Sequence, residues 1–585
     1  MKSRVSFFNF HAFKKDVRRF APLWGLYSVG LALAYLILMT EPTSFYRADM
    51  LAESLMAMVP VNFGYAFLCV QLLFGDLFQS RLCNALHALP LRRESWFGTH
   101  VAAGIAFSVV PNLVFAVLSA ATMKVGLGWP VPLYWLLGNA LQYLCFFGIA
   151  VFSVMLTGNR FAGAVVYGLI NFLSMLVWWL ADSLYEPLLP GVRVAGDGFI
   201  VCSPVVKLLT LDDVIHLQSH QVKDVYGGII HRYVESVALS GEIWWYAGYA
   251  AAGIGLLVVS LLLYRKRALE CAGDFMAFKS TEPVLLVIYT LAVGGFFHLF
   301  SEVLGSGPEQ YIFLVVGLLV GYFTGTMLIE RSTRVFRRKT FLRFALFAAV
   351  FALSLGLTAL DPLGITRWVP DGEDVVSVNL STRYEHYGYS EGDMDITDPD
   401  AIGEIIAAHE YQIGRTHADE LREYDDAIMF NVCIEYTLKN GTTHSRFYEV
   451  NVLSECGEAL KEYYGSFAYV MGFPESEIPA KAKDTIRIYS MNHQEELDGH
   501  ISPAMDPEAL LRAIAADCAA GTLCQVGAYH GGDWNYTTYM EIGFRTDVEN
   551  SNMDYRFLHV YKDSVNTLRW MEENGLYDPN ALPEK

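Results

Sequence analysis

The chain has 585 residues, too many for one compact domain, and 53% of them are hydrophobic, with a mean hydropathy of +0.31. A membrane protein is therefore the expected class. Residues 361–585 hold 16 of the 42 Lys+Arg and 41 of the 61 Asp+Glu, which leaves the first 360 residues slightly basic. This acidic tail is not expected to bind nucleic acid, because phosphates are bound by Lys and Arg.

Residues 1–20 are predicted to form an amphipathic helix in the cytoplasmic membrane interface. Phe10, Phe13, Val17 and Phe20 recur at helical spacing, and the cations Lys14, Lys15, Arg18 and Arg19 surround them. Such a helix places its cations near anionic lipid head groups. An ordinary basic flank before a first span is the alternative. No cleavable signal is expected, because no small-residue cleavage site follows.

Nine apolar windows are long enough to cross a bilayer, which takes about 20 residues. They lie near 21–40, 56–75, 101–123, 132–157, 161–184, 243–264, 282–303, 310–330 and 341–360. The predicted fold is therefore a polytopic α-helical membrane protein with about nine transmembrane helices, followed by a soluble domain.

Basic residues mark alternate loops and so predict the orientation. They precede the first span and occur at Arg81, Arg92 and Arg93, at Arg160, at 265–267 and at 331–339. This pattern predicts a multi-pass protein of the cell membrane with a cytoplasmic N-terminus and an extracytoplasmic tail at 361–585. An error of one span would move the tail to the cytoplasm.

The loop at 185–242 is predicted to be extracytoplasmic, with His216, His220 and His231 as solvated residues. Their irregular spacing, without carboxylates, disfavours a metal site, and we expect no metal and no cofactor. The nine cysteines form no CxxC pair. Whether any tail cysteines form a disulfide is left open by the sequence.

The spans contain amides rather than a relay of charges, which argues against proton- or sodium-driven transport. Two interpretations of these amides stay open: interhelical hydrogen bonds, or a weakly polar lining for an amphiphilic cargo. The residues are Asn62, Gln71, Asn112, Asn139, Gln142 and Asn171.

The eighth span carries glycine at every fourth position: Gly317, Gly321 and Gly325. These glycines lie on one helical face and permit close approach of another helix, within the chain or from a second chain.

The tail is predicted to be an α+β domain that repeats a βαββα unit, at about 370–470 and 480–580. Asp398-Pro399 and Asp506-Pro507 each begin a helix. The strands Arg446–Val450 and Arg556–Val560 also correspond. A solvated acidic surface is the favoured interpretation of the tail's charge, with calcium or a cationic peptide as alternatives.

No catalytic motif is found, and the chain is not expected to be an enzyme. It has neither GxSxG nor the GxxxxGK[ST] phosphate-binding loop. If transport here uses ATP, another subunit must hydrolyse it.

The segment Leu86-His-Ala-Leu-Pro-Leu-Arg-Arg-Glu94 after the second span resembles the cytoplasmic segment of bacterial ABC-2 type permeases, the membrane subunits of ABC exporters. Ser203-Pro204 is similar to the Ser-Pro before that family's last core helix. The N-terminal residues 7–27 look like permeases of multidrug or peptide-antibiotic export. The resemblance covers roughly the first half of the chain.

The resemblance implies a six-span permease core at 21–270, with 80–94 as the coupling segment that contacts the ATPase, and an additional three-span module at 271–360. The implied contact residues are Leu82, Leu86, Leu89, Pro90, Leu91, Arg92, Arg93 and Glu94. Leu82, Leu86 and Leu89 are expected to form an apolar face, and Arg92, Arg93 and Glu94 are expected to be available for polar contacts.

The expected function is thus the permease subunit of an ATP-driven exporter of an amphiphilic compound or peptide. Its expected partners are cytoplasmic ABC ATPase subunits, a second permease in a homo- or heterodimer, and membrane lipids. A membrane-anchored sensor or scaffold that presents the acidic outer domain, without transport, is the alternative. The sequence specifies neither the cargo nor, apart from the family, the direction of transport.

Overall fold

The computed structural model divides the chain into two compact units, which are Met1–Ala181 with Ala195–Phe351 and Asp182–Val194 with Ala352–Lys585. The residues it describes are 7–41, 43–87, 92–123, 129–193, 197–211, 214–223, 229–304, 309–383, 390–413, 415, 429–451, 454–492, 495–497, 505–523, 529–530, 533–534, 538–545 and 553–577.

Twelve α-helices occur in the described part of the first 360 residues. In chain order they are α1 (Phe10–Arg19), α2 (Ala21–Leu38), α3 (Ser44–Leu73), α4 (Ser80–His87), α5 (Arg93–Thr122), α6 (Val131–Leu156), α7 (Arg160–Tyr185), α8 (Pro204–Leu209), α9 (Ile243–Lys266), α10 (Glu282–Leu304), α11 (Glu309–Glu330) and α12 (Arg338–Leu360). Nine of these described helices are long and apolar enough to cross a membrane, all except α1, α4 and α8. They correspond one to one with the nine predicted spans, so the predicted long apolar helices are confirmed.

Two spans begin earlier than their hydropathy predicts. Helix α3 begins at Ser44 rather than near 56, and α5 begins at Arg93 rather than near 101. The hydroxyl of Thr43 caps α3 by accepting a hydrogen bond from the Tyr46 N–H at 3.3 Å. Each helix has 30 residues and is about 45 Å long, longer than a hydrocarbon core of roughly 30 Å. Each of the two helices therefore includes polar turns that extend beyond the hydrocarbon core of a bilayer.

The predicted amphipathic helix is α1. The Asn9 side chain caps it, accepting hydrogen bonds from the N–H groups of His11 and Ala12 at 3.0 and 3.1 Å. The helix ends at Arg19, and α2 begins after Phe20 with Pro22 in its first turn.

The loop at 185–242 is more ordered than its polar sequence predicts. It contains α8 and an antiparallel hairpin of β1 (Ile215–Lys223) and β2 (Ile229–Leu239), in which Ile215 pairs with Leu239. The hairpin alternates polar and apolar residues imperfectly, so its strand pattern is weak in the sequence.

The tail contains two four-stranded antiparallel sheets. The first consists of β3 (Val375–Arg383), β4 (Ser390–Ile396), β5 (Met429–Leu438) and β6 (Thr443–Asn451), in the order β4-β3-β5-β6. It is accompanied by α13 (Pro399–Gln412) and α14 (Glu455–Tyr464). Two short helices follow, α15 (Phe467–Met471) and α16 (Ile478–Asp484).

The second sheet repeats that order. It consists of β7 (Thr485–Asn492), β8 (Glu495–Leu497), β11 (Thr538–Arg545) and β12 (Met553–Val560), in the order β12-β11-β7-β8, with α17 (Pro507–Ala519) and α18 (Val565–Glu573). A separate pair of two-residue strands, β9 (Tyr529–His530) and β10 (Asp533–Trp534), precedes β11. The predicted βαββα order is corrected here, because two strands rather than one precede α13 and α17.

Local signals predicted the starts of α13 and α17 correctly. The Asp398 carboxylate accepts a hydrogen bond from the Ala401 N–H at 3.1 Å, and Asp506 accepts one from the Glu508 N–H at 3.0 Å. Each sheet has its own apolar core. Leu380, Ile405, Ile434, Val450 and Leu460 lie in the first, and Ile488, Leu510, Ile542, Leu558 and Met571 lie in the second.

The segment Asp182–Val194 packs with the tail. The Phe447 N–H on β6 donates a hydrogen bond to the Gly191 carbonyl at 3.2 Å, which adds one backbone bridge to this edge strand. The Arg193 guanidinium lies 4.6 Å from the centre of the Phe447 ring, and the hydroxyls of Tyr185 and Ser354 are 2.8 Å apart. The stretch after α7 is therefore part of the tail unit, which its sequence does not indicate.

Candidate functional site

The predicted coupling segment at 80–94 is described in part. Its helix α4 exposes Leu82, 43% of whose surface is accessible, and buries Cys83. Leu89, Pro90 and Leu91 lie outside the described residues, as does the side chain of Leu86. The described part of α4 thus presents one large accessible apolar side chain on a short helix between two spans.

Arg93 and Glu94 are engaged within the chain. The Arg93 guanidinium donates hydrogen bonds to the carbonyl oxygens of Tyr264 and Arg267 at 3.3 and 3.0 Å, where α9 ends. The Glu94 carboxylate forms an ion pair with Arg265 at 3.1 Å. The last carbonyls of a helix lack intrahelical partners and carry partial negative charge, so a cation stabilises them. Of the three polar residues predicted to be available, Arg92 is the exposed one.

Arg267 makes a second connection of the same kind. Its side chain is almost completely buried, and it donates hydrogen bonds to the carbonyl oxygens of Val154 and Met155 at 2.8 and 3.3 Å. These carbonyls belong to the last turn of α6. The start of α5 is thus bonded to the end of α9, and the residue after α9 is bonded to the end of α6. The sequence showed Arg267 only as one cation of a basic loop.

Other loops meet at the same place. The Ser80 hydroxyl donates to the Ala272 carbonyl at 3.3 Å, the Asn159 amide donates to the Asp274 carbonyl at 3.2 Å, and Asp274 pairs with Arg331 at 3.3 Å. We call this set of contacts the loop junction: residues 77–80, 92–94, 154–159, 264–276 and 331. It brings together the loops after α3, α6, α9 and α11, which are the basic loops of the sequence. These loops therefore lie at one end of the helix bundle.

The buried amides connect helices to each other. The Asn62 amide on α3 donates to the side-chain oxygens of Asn139 and Gln142 on α6 at 2.5 and 2.9 Å. Gln142 in turn donates to the Leu55 carbonyl at 2.9 Å. All three amide side chains are fully buried. Of the two interpretations of these amides, the geometry favours interhelical hydrogen bonds.

The remaining amides also bond within the bundle. Gln71 donates to the Arg160 carbonyl at 3.1 Å, and Asn171 donates to the Tyr167 carbonyl at 2.8 Å. Asn112 accepts a hydrogen bond from the Tyr27 hydroxyl at 3.0 Å. These bonds connect polar groups that lipid could not satisfy.

The glycine stripe packs within the chain. A Cβ on Gly317 would lie 3.0 Å from the Gly294 Cα, and a Cβ on Gly321 would lie 3.1 Å from the Thr290 Cα, both on α10. Gly325 approaches Leu286 and Tyr289 of the same helix. Of the two predicted contacts, within the chain or between chains, the structure shows the first.

Among the described residues, no group of three or more His, Cys, Asp or Glu side chains is arranged to hold a metal ion. In the hairpin, His216 pairs with Ala238 and His231 with Val222, so the two histidines occupy distant rungs. Cys456 and Cys518 are buried, Cys433 is half-buried, and Cys524 lies outside the described residues.

A buried histidine on α13 contacts two tyrosines of the first tail sheet. The ring nitrogens of His409 on α13 lie 2.9 Å from the hydroxyls of both Tyr436 and Tyr448. Burial, with a smaller contribution from the Arg446 charge, lowers the pKa of His409 to about 4. The same burial raises the pKa of Tyr436. This cluster is neutral at pH 7 and packs α13 onto the sheet.

Comparison of the chain with protein families, with curated proteins and with solved structures finds no match. The function must therefore be inferred from the loop junction, the spans and the tail.

Proposed function

We propose that this chain is the permease subunit of an ATP-driven ABC transporter that exports an amphiphilic compound or peptide. Separate cytoplasmic ATPase subunits would dock on the 80–94 segment, and a second permease would complete the transporter. The observation that supports this proposal is the loop junction. A short helix with an exposed Leu82 is followed by an exposed Arg92, and the next residue is bonded to two other spans.

The junction offers a route for the movement that ATP would drive. A displacement of α4 and the start of α5 acts through Arg93 on the end of α9, and through Arg267 on the end of α6. Several spans then move together. The energy for switching between inward- and outward-facing states would come from the ATPase, whose closed state binds ATP more tightly.

The orientation belongs to the same proposal. The junction holds basic loops, which the positive-inside rule places in the cytoplasm. The tail would then be extracytoplasmic, on the outer side of the cell membrane. The bond between Gly191 and Phe447 supports the span count, because the segment after α7 must share a side with the tail. Four spans, α9 to α12, lie between the segment after α7 and the tail. Because four is an even number, the chain ends on the same side of the membrane on which that segment lies.

We further infer that the tail is an internal duplication of a ββαββα unit. The two sheets share one strand order, and each contains an arginine at the corresponding strand position, Arg446 and Arg556. Arg446 donates to the Ile365 carbonyl at 3.0 Å, before the first strand of its unit. Arg556 approaches Gly472, before the first strand of the second unit.

Purification of the full-length chain from its native membranes tests the proposal. It should recover a protein with a phosphate-binding loop, identified by mass spectrometry. The double variant Leu82→Asp/Arg92→Glu should lose that protein, whereas Arg334→Glu, at another exposed arginine of a basic loop, should retain it. The proposal is wrong if the wild type recovers no nucleotide-binding protein, or if both variants recover it equally.

A sensor or scaffold remains the second candidate, and the contact between Asp182–Val194 and β6 favours it. A ligand bound by the tail would act directly on the stretch that follows α7. In that case the purified chain would bind no ATPase. Gly191→Ala would abolish the response of the chain to the ligand of the tail, whereas Leu82→Asp/Arg92→Glu would not.

A further inference from the structure

A groove of about 480 Å³ lies between α2 and α5, and α1 borders one end of it. Phe13 and Val17 line that end, and Tyr35 and Leu118 are among the residues farther along. Two of its polar groups form hydrogen bonds within the chain. The Trp24 indole N–H donates to the Val17 carbonyl at 3.0 Å, and the Ser28 hydroxyl donates to the Trp24 carbonyl at 2.7 Å. The walls therefore favour a hydrocarbon ligand.

The groove has the length of one membrane leaflet. From Trp24 to Tyr35, α2 advances about 16 Å at roughly 1.5 Å per residue, and half of a hydrocarbon core is about 15 Å. Its α1 end is at the interface, because α1 precedes the first span. An acyl chain that entered there would extend towards the middle of the bilayer.

Unpaired cations lie beside that end of the groove. Lys14 and Arg18 each follow a groove residue by one position, so they form a parallel row on α1, and Lys15 lies next to Lys14, farther round the helix. All three are exposed, and within the described residues none of them forms an ion pair. Arg19, in contrast, lies 3.4 Å from Asp76.

Two bonds fix the rotation of α1. The buried Asp16 carboxylate lies 2.8 Å from the ring of the buried His100 on α5. The Asn9 N–H donates to the Thr99 hydroxyl at 3.0 Å. With Asp16 held against α5, Phe13 and Val17 are directed to the groove, and the row of Lys14 and Arg18 is held next to it.

We propose that this groove binds one acyl chain of an anionic phospholipid and that Lys14, Lys15 and Arg18 bind its phosphate. A neutral lipid would fill the groove but leave the net positive charge uncompensated. A helix of a second copy, about 10 Å wide, would fit into 480 Å³ only in part. This inference does not depend on a transport function.

Photo-crosslinking in nanodiscs tests the site with the full-length wild-type chain. The probe is phosphatidylglycerol with a diazirine in its acyl chain, present in trace amount in phosphatidylcholine. Labels should concentrate on peptides of α2 and α5, and unlabelled phosphatidylglycerol should compete while added phosphatidylcholine should not. Labels spread evenly over other lipid-facing spans such as α12, or equal competition by both lipids, would overturn the proposal.

Variants distinguish binding of the lipid head group from binding of its acyl chain. Lys14→Gln/Lys15→Gln/Arg18→Gln should weaken competition by phosphatidylglycerol on the order of 10- to 100-fold. The control Arg337→Gln/Arg338→Gln/Lys339→Gln removes three exposed cations around the start of α12 and should change this competition little. Ala106→Phe, which fills the groove, should abolish labelling of α2. If Ala106→Phe instead dissociates a dimer of the chain and the wild type is not labelled there, the groove is a contact between copies and the proposal is wrong.

Discussion

Arg93 donates a 3.0 Å hydrogen bond to the carbonyl oxygen of Arg267. The first residue is at the start of α5, and the second directly follows the end of α9. Because the Arg267 side chain itself donates to the last turn of α6, the bond is part of a series that connects three spans. A displacement of the 80–94 segment therefore acts on the ends of α9 and α6 as well as on α5.

Replacing Arg267 should destabilise the membrane part more than replacing its exposed neighbour. Arg267→Met leaves the carbonyls of Val154 and Met155 without donors in a buried place. We expect a loss of roughly 3 kcal/mol in the free energy of unfolding, measured by SDS titration in mixed micelles. Lys266→Met is the control, because that side chain is exposed. Equal effects of the two would show that the buried bonds contribute nothing.

A larger residue in the glycine stripe should separate α10 from α11. A Cβ on Gly321 already meets the Thr290 backbone at 3.1 Å, so Gly321→Leu should cost about 1–3 kcal/mol or more. Gly356→Leu on α12 is the control, since nothing lies within 4 Å of its Cβ position. If Gly321→Leu left the stability of the monomer unchanged, the observed packing within the chain would be contradicted.

The stability of the first tail sheet should depend on pH through His409. Its pKa of about 4 in the folded state is below the value of about 6.5 in an unfolded chain. Below pH 6.5 the unfolded state therefore binds a proton that the folded state excludes. Stability should be constant above pH 6.5 and decline towards pH 4, by up to about 1.4 kcal/mol per pH unit.

Hydrogen-exchange protection factors of β5 and β6 peptides, measured in the full-length protein from pH 7.5 to 5, report this decline. His409→Gln should flatten the profile. His444→Gln, an exposed histidine in the same sheet, should leave it unchanged. An unaltered slope in His409→Gln would assign the decline to other groups.

The contact between Asp182–Val194 and the tail should be sensitive to a single methyl group. Gly191 has φ +78°, and a Cβ there would lie 2.4 Å from the Tyr448 hydroxyl. Gly191→Ala should therefore expose β6, Thr443–Asn451, to faster hydrogen exchange. Gly364→Ala has the same kind of backbone strain, at φ +64°, but open space around its Cβ. Faster exchange of β6 in both variants alike would mean that strain, and not the contact, is responsible.

Cys202 provides a test of the proposed topology. It is exposed in the loop at 185–242, whereas Cys69, Cys83, Cys145 and Cys271 are buried. An impermeant maleimide should label intact cells at Cys202, and Cys202→Ser should remove that label. Arg334→Cys, in a basic loop, should react only after permeabilisation. The reverse pattern would place the loop junction outside the cytoplasm and overturn the proposed orientation.

Hydropathy was sufficient to predict the nine long apolar helices, because burial in lipid requires such helices whatever their packing. It was insufficient for the starts of α3 and α5, where capping and helix propensity extend polar turns beyond the bilayer. The Asp-Pro caps predicted α13 and α17 for the same local reason.

The candidate site was harder to predict, because its contacts join residues that are distant in sequence. Arg93 and Arg267 differ in no local way from the exposed Arg92 and Lys266. What distinguishes them is which helix ends lie nearby, and this depends on the packing of the spans. The strand β8, with three residues, is too short for a pattern to reveal.

The bridge between Gly191 and Phe447 also bears on the order in which the chain is synthesised. Gly191 leaves the ribosome roughly 250 residues ahead of Phe447, about 10–50 s at typical elongation rates. β6 is an edge strand, and an unpaired edge invites association with other chains. When β6 emerges, the segment that covers part of its edge has already been made and is tethered by α7. The nascent tail thus meets a partner from its own chain before it can encounter a neighbour's.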